Sequence, residues 1–370
     1  VSPEAYRMSL EHAMREAEID LSGISLFEAH GSGLHTDDAI ESNVLNAIST
    51  DTGTHCAVNS TKPIVGHLGA ASGLSSLVKT SLCLYHTLIP PIPDYRWPGE
   101  NAWEGCFHIP TKPQYWFRNR ESGPRRACVG SVTSDGNCTH VILEEHEAAG
   151  GISTPEIAPD RLRPLGYQAS GLFVVEGDHD QEIIEGLEIL KNQIRKGVSR
   201  GLPMELIARI WYEKMACGPG KKRALSLVFR DTREAENEIV KAERIIASED
   251  RDTAPGRANI FYTPEPLGAS AGIAFVFPGS GNHSLGMGRD MGTQWPLILR
   301  QKDAETRQLK KQMIPERFMP YRLSWEHQWE IQALHQIHAD PLSAIFGQVM
   351  HGSVAAKLMM QFMAPPGAVI

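Results

Sequence analysis

At 370 residues the chain has room for two or three domains. Apolar residues make up 41% and charged residues 22%, enough to bury sizeable cores, which excludes a disordered, collagen-like or coiled-coil chain as a whole. A net charge of -8 argues against nucleic-acid binding as the main task, because a backbone binder needs a basic surface.

Residues 1–7 are polar and mixed and show no signal peptide. Residues 6–19 place Leu10, Ala13, Met14 and Ala17 at helical spacing, which predicts an amphipathic helix. Residues 24–29 read as a short strand running into His30-Gly31-Ser32-Gly33. A helix is expected over 38–48 and a short strand over 56–60, ending in a polar turn. Residues 66–88 start rich in Gly, Ala and Ser and continue as a long helix. The apolar stretch 68–93 is interrupted by Lys79, His86 and serines, so a buried core helix is expected, not a membrane span. Strands at 128–132 and 140–144 flank a turn at Asp135-Gly136-Asn137. Strands alternating with helices point to an α/β architecture.

Glycines and prolines between 146 and 164 mark a boundary. Beyond it come a strand at 171–176, a helix at 180–196 capped by Asp180, a strand at 224–229 and a charged helix at 232–248. Residues 250–268 read as a second linker. A strand at 273–277 feeds Pro278-Gly279-Ser280-Gly281-Asn282. The six cysteines contain no C-x-x-C pair, so neither a zinc knuckle nor a disulfide framework is expected, and a reducing cytoplasm fits.

Two histidine motifs carry candidate chemistry. One is Glu28-Ala29-His30-Gly31-Ser32-Gly33, followed by Asp38 and Glu41. The other runs from Ser60 through Lys62, Gly66 and His67 to Ala71 and Gly73. Each histidine lies at a loop end beside glycines, which let a ligand or another backbone approach closely. Two imidazoles so placed can donate two N–H bonds to one developing oxyanion, and one such donor can change a rate about 10²–10³-fold. The Lys62 ammonium would help set the field and the tautomer. Metal binding is not expected, since no paired-ligand spacing occurs. His35, His55, His86 and His108 are expected on the surface or in satisfied core positions.

These two motifs, in this order, resemble the C-terminal half of a β-ketoacyl synthase, a condensing enzyme of thiolase-like fold. The resemblance covers residues 1–147. It implies that His30 and His67 assist decarboxylation of a malonyl-type extender and stabilise the enolate and thioester oxyanion. It implies that Lys62 supports them, that Glu28 braces the His30 loop, and that Asp38 and Glu41 act in support. The family's cysteine nucleophile precedes both histidines in an acidic-Thr-Ala-Cys-Ser-Ser turn, which this sequence lacks. Cys56 falls between the histidine motifs and is read as structural. The expectation is that the chain begins downstream of the nucleophile. Residues 131–140 keep Ser131, Gly136 and His140 of the family's turn but lose its Phe and Gly between Val132 and Asp135. That change implies altered acyl specificity or reduced activity. Cys138 is read as a packing residue.

Residues 148–270 resemble the small α/β linker domain between ketosynthase and acyltransferase. Residues 271–370 resemble a truncated acyltransferase N-terminal part, with Gly279, Ser280 and Gly281 in the oxyanion loop. Its G-H-S-x-G serine elbow is absent, and His351 does not replace it. The whole therefore reads as a segment of a type I polyketide or fatty-acid synthase, with a lean toward polyunsaturated-fatty-acid-synthase-like systems. The segment alone is expected to be inactive. The resemblance implies acyl carrier protein as partner, phosphopantetheine carried on that partner and no directly bound cofactor. Acyl-CoA and malonyl-CoA would be substrates, and the ketosynthase would form a homodimer. The alternative is a non-condensing, chain-length-factor-like or scaffolding domain paired with an active ketosynthase.

Overall fold

A computed structural model describes residues 2–49, 55–96, 106–146, 164–166, 168–215, 221–247, 259–265, 271–279, 281–321, 328–363 and 365–369. Most of the boundary predicted at 146–164, most of the linker predicted at 250–268, Cys217 and Ser280 lie outside the described residues. The chain groups into two compact units. One is Gly166–Ile273, and the other joins Val1–Leu165 with Ala274–Ile370.

The larger unit begins with helix α1 (Pro3–Glu16), which Ser2 caps through its side chain. Strand β1 (Leu26–Glu28), helix α2 (His35–Ile48) and strand β2 (Cys56–Asn59) follow. Then come the single turn α3 (Lys62–Val65), helix α4 (Ser72–His86) and the short strands β3 (Leu88–Ile89), β4 (Phe107–His108) and β5 (Gln114–Tyr115). Strands β6 (Arg126–Val132) and β7 (Cys138–Glu144) form a hairpin. The five-stranded sheet runs β4-β2-β1-β6-β7, parallel except for β7.

Side-chain alternation divides this sheet into two cores. Phe27, Val58 and Cys128 face α1 and α2, packing with Tyr6, Leu10 and Leu45. Leu26, Ala57 and Ala127 face the other way, packing with Cys83 and Leu84 of α4. β1 and β2 are buried on both faces, as central parallel strands are.

Helix α4 departs from the expected buried core helix. Ser72, Ser76, Thr80, Cys83 and Leu84 form its buried stripe, but Leu74, Val78 and Leu82 are exposed. A residue four positions on lies on the same helix face, and no described element of this chain covers that apolar face.

Residues 274–370 add strand β11 (Ala274–Phe275), parallel to β12 (Ala368–Val369), and helices that include Pro296–Glu305 and Pro341–Met359. Tyr115 shares a core with Ile298, Leu299 and Leu358. Beside it lies buried Arg125, which donates to the Trp116 carbonyl, to both Glu145 oxygens at 2.9 Å and to Asp303 at 3.3 Å.

The second unit is an antiparallel sheet of β8 (Gly171–Gly177), β9 (Arg223–Phe229) and β10 (Ile260–Tyr262), in the order β10-β9-β8. Its core joins Phe173, Leu225 and Phe229 to Leu187, Trp211 and Ile239 of three helices. The helix Met204–Lys214 goes beyond the elements read from sequence, although Met204, Ile207, Ala208 and Trp211 carry its period. β10 falls inside the predicted linker, because three residues are too few to show alternation. Asp180 is the first helical residue, not the cap, and its carboxylate accepts from Arg223 and from the Tyr262 hydroxyl.

Two consequences can be measured. Arg125→Ala leaves Glu145 and Asp303 with Arg118 as their remaining cation and removes the buried donors to both, so urea denaturation should show a loss of about 1–3 kcal/mol. A loss near zero would contradict the buried network. His140 is buried, with Tyr6 edge-on to its ring at 4.6 Å, and burial pushes its pKa from 6.5 down to about 4. The unfolded chain takes up this proton near pH 6.5 and the folded chain only near 4, so stability should fall as pH drops through that window. His140→Gln should flatten the decline in melting temperature; an unchanged slope would assign it to other groups.

Candidate active site

β1, β2 and β6 run parallel, so their carboxyl ends lie side by side. The chain leaves β1 toward β2 on one side and later reaches β6 on the other. A crevice forms where strand order reverses in this way. His30 follows β1, Lys62 follows β2, and Val132 ends β6.

The His30 loop is held by α2. Glu41 Oε1 accepts from the His30 N–H at 2.8 Å and the Tyr6 hydroxyl at 2.6 Å, while Oε2 accepts from the Gly31 N–H at 2.8 Å. One turn earlier, Asp38 accepts from the Ser32 hydroxyl at 3.0 Å and the Gly33 N–H at 3.1 Å. Residues three apart share a helix face, so both carboxylates meet the same loop. Burial pushes the Glu41 carboxyl above its ordinary value, and the three donors pull against that rise. Gly31 has φ 52°, and a Cβ there would sit 2.9 Å from Ser60 Oγ.

The His30 and His67 ring centroids are 5.8 Å apart and nearly perpendicular. His30 Nδ1 accepts from the Val132 N–H at 3.2 Å, and His67 Nδ1 accepts from the Gly69 N–H at 3.1 Å. A backbone N–H can only donate, so both Nδ1 atoms are unprotonated and both rings carry hydrogen on Nε2. Lys62 Nζ lies 3.4 Å from His30 Nδ1 and also donates to the His30 carbonyl. Burial, then the Lys62 charge, then His67 push the His30 pKa down to about 4, so the ring is neutral near pH 7. Burial also lowers the Lys62 ammonium. The adjoining cavity of about 710 Å³ is lined by Gly31, Gly33, Lys62 and His67, with Ile92 and Tyr95 on its apolar side.

Of the two histidines Lys62 was expected to support, it touches His30, because α3 turns it back over the β1 loop. One placement differs from the sequence reading. Glu28 does not touch the His30 loop. It shares a strand face with Leu26, which packs toward α4, so its carboxylate accepts from Thr61 Oγ1 at 2.5 Å and Lys79 Nζ at 2.8 Å. Glu41 binds the loop instead. Sequence reasoning missed three contributors. Lys79 announced itself only as a charge four residues before Cys83 on the buried stripe of α4. Tyr6 opens the predicted helix without being singled out. The Val132 N–H leaves no side-chain signal at all.

Cys56 is buried, and burial pushes its thiol well above the ordinary value, the wrong direction for a nucleophile. Among the described residues no group of three His, Cys, Asp or Glu could hold a metal ion. His55 and His108 pack against Tyr321, and His35 opens α2. In the 274–370 segment, Gly279 and Gly281 follow β11. Gln348 Nε2 donates to the Gly279 carbonyl at 2.9 Å, and Gly281 has φ 101°.

Residues 1–96 match the family "Beta-ketoacyl synthase, C-terminal domain". Polyketide synthase PksL of Bacillus subtilis (strain 168) is 30% identical over 192 residues, 50% of this chain and 4% of PksL. The highly reducing polyketide synthase pks5 of Leptosphaeria maculans is 27% identical over 316 residues, 80% of this chain and 11% of that protein. The chain therefore spans a small fraction of these relatives. A solved ketosynthase from module 6 of the bacillaene synthase of Bacillus subtilis 168 aligns at 20% identity, with TM-score 0.38, covering 71% of this chain and 41% of that one. The stretch that carries His30 and His67 thus falls within the part of the chain that matches the β-ketoacyl synthase C-terminal domain. The curated relatives it resembles are polyketide synthases.

Glu41→Ala removes three acceptor contacts at once. It should lower stability by about 1–3 kcal/mol, read by denaturant melts. It should also speed amide hydrogen exchange at His30 and Gly31; unaltered exchange there would refute the clamp.

Proposed function

We propose that this chain supplies the two-histidine half of a decarboxylative Claisen condensation site. One observation carries the reading: both rings present Nε2–H donors, each fixed by a backbone N–H on Nδ1. Two Nε2–H donors on rings 5.8 Å apart suit the oxyanion that forms when a malonyl thioester loses carbon dioxide. Carbon dioxide departs, its bonding electrons pass into the enolate, and the two N–H groups carry that charge. The enolate carbon then attacks an acyl thioester, expelling thiolate. Burial, with the Lys62 charge second, keeps His30 neutral, and Asp38 and Glu41 hold the loop.

The match with pks5 extends well beyond the family match, which supports reading 148–270 as a linker and 271–370 as the start of an acyltransferase. In that reading the N–H groups of the loop at Gly279, Ser280 and Gly281 would face a second oxyanion. Acyl carrier protein bearing phosphopantetheine, acyl-CoA and malonyl-CoA are the proposed partners and substrates, with a homodimer through the ketosynthase. No helix among the described residues is long and apolar enough to cross a membrane. We place the protein in the cytoplasm.

In a synthase containing this segment, His30→Ala and His67→Ala should each slow malonyl decarboxylation about 10²–10³-fold. Release of labelled carbon dioxide measures it, and unchanged release in both variants would sink the reading. The rate should hold down to about pH 5 and fall as His30 protonates near 4.

A further inference from the structure

We propose that Lys79 is a positioning residue for Lys62, acting through Glu28 and Thr61; this rests on the ketosynthase reading above. Glu28 is fully buried. An ionised carboxylate there is costly unless it is paired and hydrogen-bonded. Lys79 supplies the pairing at 2.8 Å and also donates to Asn59 Oδ1 at 2.7 Å, beside Glu28 in the sheet register. The same Asn59 oxygen accepts from the Ser60 N–H at 2.8 Å, which pins the exit from β2.

The second Glu28 oxygen accepts from the Thr61 hydroxyl. Thr61 stands at the N-cap of α3, yet its side chain does not cap that turn. Threonine at an N-cap ordinarily bonds the helix's own N–H groups. Here the hydroxyl is committed to Glu28 instead, and that departure fixes the start of the turn bearing Lys62. Lys62 in turn meets the carbonyl and ring of His30. The contacts therefore run without a gap from Lys79 to Glu28, Thr61, Lys62 and His30. Without Lys79, the buried Glu28 carboxylate loses its paired cation, and with it the fixed orientation of the oxygen that holds Thr61.

The groups facing His30 are Lys62 on α3, His67, Glu41 and, farther off, Asp37 on α2. Lys62 is the charge that moves when the relay is cut. NMR titration of His30 in the 370-residue chain tests this directly. Lys79→Met should raise the His30 pKa by about one unit, a tenfold gain in proton affinity. Thr61→Val, which leaves the ion pair intact, should do the same; it carries the test alone if Lys79→Met does not fold. Lys79→Arg, which keeps the charge, should restore the low value. In a synthase containing the segment, Lys79→Met should lower the turnover of malonyl decarboxylation about 10–100-fold with KM unchanged and move the acid limb of its pH profile upward. A His30 titration unmoved in the folded variants overturns the proposal. If instead wild type and His30→Ala release carbon dioxide equally, the ketosynthase reading fails, and the titration still decides whether Lys79 positions Lys62.

Discussion

A buried carboxyl group is costly unless donors surround it, and the site depends on two that are so surrounded. Glu41 gathers two backbone N–H groups of the His30 loop and the Tyr6 hydroxyl. Glu28 gathers Thr61 and Lys79. One ties α1 and α2 to the end of β1. The other ties α4 and the end of β2 to the same strand from the opposite face. His30 is held by backbone that Glu41 has already fixed, and its ring takes a main-chain N–H rather than a carboxylate.

The two carboxylates work from opposite faces because a strand alternates its side chains. Glu28 must follow Leu26 toward α4. His30 lies beyond the strand, in a turn where glycines accept a left-handed backbone, and there α2 takes over. The changed residues between Val132 and Asp135 leave the contact to His30 in place, because it comes from a main-chain N–H.

Much of the candidate site was legible in order but not in pairing. The glycine-flanked motifs put His30, His67, Lys62, Asp38 and Glu41 on the page together. The resemblance placed Glu28 against the His30 loop, two residues on. That pairing fails because Glu28 still follows the strand's alternation toward α4, while residues from different strand ends meet. The helix at 204–214 was legible in principle from its period, whereas β10 is too short to show one. The apolar face of α4 misled in another way, since an apolar sequence says that a face seeks cover and not that this chain supplies it.

The sequence by itself determined the α/β alternation, the position of the main elements and the family to which the His30 and His67 motifs belong. It did so because hydrophobic period and glycine-bounded turns are local properties. Only the tertiary structure decided which carboxylate holds which loop, where the Lys62 charge sits and which ring nitrogen carries the proton. Those depend on strand register and on main-chain donors such as Val132 N–H, which no pattern of side chains records.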